Sequence, residues 1–166
     1  NPINPSPWYA FKLWSNKSQT VHLQLVYQHV AHRYNPKSSI DGKKWNRIDE
    51  VFLNNDSTVA SFNVALTAND TTIIAAQELI DLPSSYVWVD SMAKHPIIQK
   101  QVIGNSINNN PIFSLHTKGA SGKEIVVVLS RQHPPEVTGY SAMQYFVNKV
   151  LDESVLSKKF LERFEM

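Results

Sequence analysis

The chain has 166 residues, of which 42% are apolar, 18% charged and 10% aromatic, enough for one ordinary domain or two small ones around a packed core, and too apolar for a disordered tail. Sixteen Lys+Arg against fourteen Asp+Glu leave a net charge of +2, too even for a nucleic-acid binder held by a dense basic face. No apolar run approaches the ~20 residues of a membrane span, and zero Cys rules out disulfide scaffolds and thiolate zinc clusters.

The opening NPINPSP lacks the charged-then-apolar signature of a signal peptide. A start at Asn1 is expected of a processed or excised product. Residues 8–14 (WYAFKLW) and 21–27 (VHLQLVY) alternate apolar and polar positions and predict half-buried strands separated by the polar turn Ser15-Asn16-Lys17-Ser18. Asp41-Gly42, followed by Lys43-Lys44-Trp45, reads as a hairpin tip. Further period-2 runs at 57–66, 71–75 and 86–89, with no helix among them, predict an antiparallel β-sandwich over residues 1–95.

Beyond His95-Pro96 the pattern changes. Residues 100–104 and 112–116 predict two strands joined by a loop containing Asn108-Asn109-Asn110-Pro111. Residues 125–129 (IVVVL) are apolar on both faces, as in the middle of a sheet covered on both sides. Val137, Tyr140, Met143, Phe146, Val147 and Val150 then recur at helical spacing, and a second helix capped by Ser154 places Leu156, Phe160, Leu161 and Phe164 on one side. One buried strand cannot be roofed by two helices alone, so residues 96–166 are expected to be the opening portion of an α/β domain. The fold class expected is α+β with two domains, 1–95 and 96–166.

The segment between the apolar strand and its helix is Ser130-Arg131-Gln132-His133-Pro134-Pro135-Glu136-Val137. Functional groups of α/β folds gather at the carboxyl ends of strands, so this segment is the first candidate site. His133 and Glu136, three apart on a turn stiffened by two prolines, can bring an imidazole nitrogen and a carboxylate to one metal ion, and zinc takes both at ~2.0–2.2 Å. The plainer alternative has His133 as a loop histidine and Glu136 as a first-turn acid favoured by the helix dipole. His29 and His32 share an expected strand and point to opposite faces, against a shared metal. His22, His95 and His116 are isolated. Arg33, Lys37, Lys43, Lys44 and Arg47 form a basic cluster interrupted by Asp41 and Asp49, readable as a solvated loop or as an attractor of acidic peptide tails. Trp8, Tyr9, Phe11 and Trp14 read as core and sheet-face packing.

The string SRQHPPEVTGYSAMQYF (residues 130–146) resembles the zinc-binding segment of the zinc metallocarboxypeptidases. Its R-x-H-P-x-E form is similar to the cytosolic carboxypeptidase branch and its bacterial relatives. Residues 102–106 (VIGNS) with 110–115 (NPIFSL) resemble the hairpin that opens that catalytic domain, and NPSPWYAF with RYNPKSSIDGKKWNRI resembles the β-sandwich domain preceding it. The resemblance implies a zinc peptidase removing residues from the C-termini of peptides or proteins, with His133 and Glu136 as two of three Zn2+ ligands. It also implies a third His ligand, carboxylate-binding Arg and Asn-Arg groups and a Glu base, all downstream of these ligands and none recognisable before Met166, so the chain is expected to be truncated and inactive alone. Pro134-Pro135 stands where shorter relatives carry an Arg. Arg131 either pairs with a carboxylate near the metal or serves as an ordinary structural partner. A non-catalytic β-sandwich binding module and an inactive carboxypeptidase-like protein are the competing readings.

Overall fold

The computed structural model describes residues 5–119 and 122–166; residues 1–4, including Asn4 at the start of NPSPWYAF, lie outside them. The chain divides into two compact units, Asn1–Leu79 and Ile80–Met166.

The first unit contains two antiparallel sheets. Strands β1 (Ala10–Trp14), β3 (Lys37–Ser39), β4 (Asn46–Arg47) and β7 (Thr71–Ala75) lie in the order β1-β7-β3-β4; β2 (Gln19–Val26), β5 (Phe52–Leu53) and β6 (Val59–Leu66) lie in the order β2-β6-β5. Period-2 patterning decides which side chains point inward. On β6, Ala60, Phe62, Val64 and Leu66 are buried while Asn63 and Ala65 are exposed, and the ladder sets Leu23 opposite Phe62 and Val21 opposite Val64. Phe62, Val64 and Leu66 form one cluster with Ile74, and Phe11, Leu13, Val21, Leu23 and Leu25 pack against it, so residues of both sheets share a single core. Trp14, expected in packing, is 75% exposed on the other face of β1. The hairpin tip at Asp41-Gly42 is held by the Asp41 carboxylate, which accepts from the amides of Lys43 and Lys44 at 2.8 Å, and by Gly42 at φ +71°, a left-handed turn that glycine adopts without a Cβ clash.

The second unit opens with a helix, α1 (Leu82–Met92). This overturns the strand expected at 86–89. Four residues of high β propensity suggested alternation, but Asp81 caps the helix by accepting from the Ser84 amide at 2.8 Å, with Pro83 in the first turn. The helix, with His95 and Pro96 after it, belongs to the second compact unit. Tyr86 packs edge-on against Phe113, with ring centroids 5.1 Å apart, and donates its hydroxyl to the Pro111 carbonyl at 2.8 Å. Phe113 and Pro111 belong to β9 (Pro111–Thr117), which pairs antiparallel with β8 (Ile98–Asn105) across a register shift between Val102 and Gly104.

The run 125–129 is a second correction. Only β10 (Glu124–Ile125) is strand, parallel to β11 (Phe164–Glu165). Ile125, Val127 and Leu129 are 69%, 74% and 74% exposed. A strand apolar on both faces is buried only where neighbours pair both edges and layers cover both faces, and among the described residues β11 alone pairs with it. Helix α2 (Val137–Val150) buries Val137, Tyr140, Val147 and Val150, four members of the expected stripe. Helix α3 (Val155–Arg163) is capped by Ser154, whose hydroxyl accepts from the Ser157 amide at 3.1 Å. Its buried residue is Ser157, while Leu156, expected to face inward, is 78% exposed. The last stripe residue, Phe164, tilts against Phe160 at 5.0 Å from the start of β11. No helix among the described residues is long and apolar enough to cross a membrane.

Candidate metal centre

Between the apolar run and α2 the chain turns sharply. Arg131 takes φ +52°, a left-handed conformation uncommon for a residue with a Cβ. Pro134 and Pro135 then fix two successive φ angles near −65°, and the Glu136 amide donates to the His133 carbonyl at 3.2 Å to close the turn.

His133 and Glu136 meet across it. The His133 ring Nδ1–H donates to the Glu136 carboxylate Oε1 at 2.7 Å, and the His133 backbone amide donates to Oε2 at 3.2 Å. These bonds, the ring contact first and the backbone bond second, hold the Glu136 carboxyl below the usual carboxylate range. Glu136 occupies the N-cap position of α2 yet makes no capping bond, because its carboxylate is turned back to the histidine.

The two side chains are 68% and 48% exposed, so both keep lone pairs open to an incoming ion. An imidazole and a carboxylate are donors that zinc accepts. Among the described residues no group of three or more His, Cys, Asp or Glu is placed to hold a metal. The pair thus fits zinc as part of a ligand set.

Three of the other histidines, His22, His32 and His116, have local side-chain partners. His29 and His32 lie in an irregular segment after β2 rather than on the expected strand, with His32 Nδ1 3.1 Å from the Tyr27 hydroxyl. Burial lowers the His32 pKa. His22 meets Asn63 and His116 meets Gln99, each at 3.0 Å. In the basic cluster Lys37, half-buried on β3, pairs with Glu78, and Arg47 pairs with Asp49 at the surface.

Two residues that sequence reasoning passed over, Trp88 and Asp81, enter the surroundings of the turn. The Arg131 guanidinium lies over the Tyr140 ring, 5.9 Å from its centroid, and Tyr140 meets Trp88 of α1 edge-on at 6.1 Å. The Asp81 carboxyl lies below the usual range mainly through bonds from Ser84, with the Arg131 charge a smaller contributor. The Asp81-x-Pro83 start signal of α1 was the clue that could have drawn Asp81 and Trp88 into view.

Residues 85–166 match the family described as zinc carboxypeptidase. Among solved structures, a metallo-carboxypeptidase from Burkholderia cenocepacia superposes with a TM-score of 0.82 at 14% identity, over 96% of this chain and 44% of that one. A metallo-carboxypeptidase from Pseudomonas aeruginosa, in complex with (2-guanidinoethylmercapto)succinic acid, gives 0.79 at 18% identity, over 96% and 44%. At these identities the likeness is one of fold. The chain spans less than half the length of these structures. No curated protein sequence matches it.

Proposed function

We propose, on the premise that residues 85–166 belong to the zinc carboxypeptidase family, that this chain is part of a zinc metallocarboxypeptidase removing C-terminal residues from peptides or proteins. The observation that carries the reading is the 2.7 Å contact between His133 and Glu136 on a proline-stiffened turn inside the matched segment. In this reading the first unit is a β-sandwich preceding the catalytic domain, as in the cytosolic carboxypeptidase branch, and the second is the opening of the catalytic domain. The ligand of the Pseudomonas structure, a substituted succinic acid, supports a site for carboxylate-bearing substrates in this fold.

His133 and Glu136 would hold the zinc, which when bound polarises the scissile carbonyl and lowers the pKa of a water toward ~7. This chain's residues present two donors in a preset geometry. The turn carries them at the surface, the prolines limit the freedom lost on binding, and the Glu136 carboxyl stays ionised across the neutral range. Two protein donors give weak binding, because catalytic zinc sites use three plus an open position.

The test is a Zn2+ titration with a hydrolysis assay. The 166-residue chain is expected to bind Zn2+ weakly and to release no amino acids from peptides above background. A general base outside this chain accounts by itself for a factor of about 10²–10⁴ in rate, and the longer protein should show the activity. Release of amino acids by the 166-residue chain that disappears in His133→Ala would overturn this assignment of roles.

A further inference from the structure

We propose that Arg131 is a positioning residue for the His133–Glu136 pair, its guanidinium laid over the Tyr140 ring to hold the turn from which both side chains project. Its functional meaning rests on the metal-ligand reading above; its structural content does not.

His133 and Glu136 bond chiefly to each other, and both are exposed. Residues 132–134 are likewise exposed, so the pair's own contacts do not tie the turn to the body of the unit. Arg131 supplies that tie. It enters the turn at φ +52°, a conformation a Cβ-bearing residue holds only where its surroundings insist. Its guanidinium sits 5.9 Å from the Tyr140 centroid, within the ~6 Å at which a cation is drawn to a ring face.

Tyr140 is itself fixed. It is 8% exposed, its ring is met edge-on by Trp88, and its amide donates to the Glu136 carbonyl at 3.2 Å. The turn is thus closed by a noncovalent staple, Arg131 on the side of His133 and Tyr140 one helical turn beyond Glu136, with the Trp88 ring of α1 set edge-on against Tyr140. The Tyr140 hydroxyl is buried with no partner among the described residues, so the staple uses the ring and not the hydroxyl.

The test measures 15N backbone order parameters of the full 166-residue chain at Gln132, His133 and Glu136, with and without Zn2+. In the unsubstituted chain these amides should be rigid, at ~0.85, and in Arg131→Ala they should fall toward ~0.6 while Val147 and Val150 of α2 stay unchanged. Tyr140→Phe should match the unsubstituted chain. Tyr140→Leu should reproduce Arg131→Ala, and the double variant should add little to either, as coupled partners do. Zn2+ affinity should fall about tenfold in Arg131→Ala and hold in Tyr140→Phe. Unchanged order parameters in Arg131→Ala would overturn the proposal, as would loosening that spreads through α2, which would mark a merely structural residue. If Zn2+ binds nowhere on the unsubstituted chain, the metal reading fails while the order parameters still decide the staple.

Discussion

Glu136 shows how two local demands compete for one carboxylate. At the N-cap of α2 an acid would normally accept from a free helix amide, yet this one accepts from the His133 ring and backbone instead. The spacing of the two residues was legible because three positions bracketing a Pro-Pro turn leave few ways to point. The support from Tyr140 was not, since a stripe position gives no sign of what lies over its outer face. Asp81 makes the conventional choice and caps α1. Its carboxyl lies below the usual range in the folded chain, so the stability it adds is full above the ordinary Asp value of ~3.9 and is lost as pH falls through the lowered folded value. An NMR titration should place its midpoint below ~3.9, and Asp81→Ala should remove its share of the acid-side loss of α1 helicity. A midpoint at or above ~3.9 would contradict the cap. Ser154→Ala should cost about 1 kcal/mol in denaturant unfolding through loss of the α3 cap. Phe62→Ala, at a site 1% exposed within the shared core, should cost about 3–5 kcal/mol.

At the scale of elements, patterns that repeat were read well and elements set by a single capping residue were not. The alternation of 21–26 and 59–66 is the pleat of β2 and β6 itself, and the stripe of α2 is a helix period sustained over its whole length. Helix α1 buries no residue fully, so its sequence carries no strong stripe, and its β-prone centre outweighed its cap signal in the reading. The apolar run at 125–129 was recognised by composition, but composition reports what a strand needs and not whether its neighbours are there. Val127 is 74% exposed. Val127→Lys in this chain should therefore shift unfolding free energy by no more than about 0.5 kcal/mol. A loss above about 2 kcal/mol would show the run buried in solution.

At the scale of the whole molecule, the sequence places the change from strands to mixed structure at residue 95, and the compact units meet at Leu79 and Ile80. The family match begins at residue 85, inside α1. We expect limited proteolysis to cut first within the irregular stretch 76–81 and to leave α1 joined to the C-terminal fragment; first cuts at 93–96 would favour the later boundary. The central claim is that His133 and Glu136 take one zinc ion together. The measurement that tests it most directly is a Zn2+ titration of the 166-residue chain followed by 1H–15N NMR, repeated on His133→Ala and Glu136→Gln. Weak binding in fast exchange, with shifts confined to residues 131–140 and reduced at least about tenfold in either variant, is the predicted result. Shifts centred on His22, His29, His32, His95 or His116, or shifts at 131–140 that persist in both variants, would contradict it.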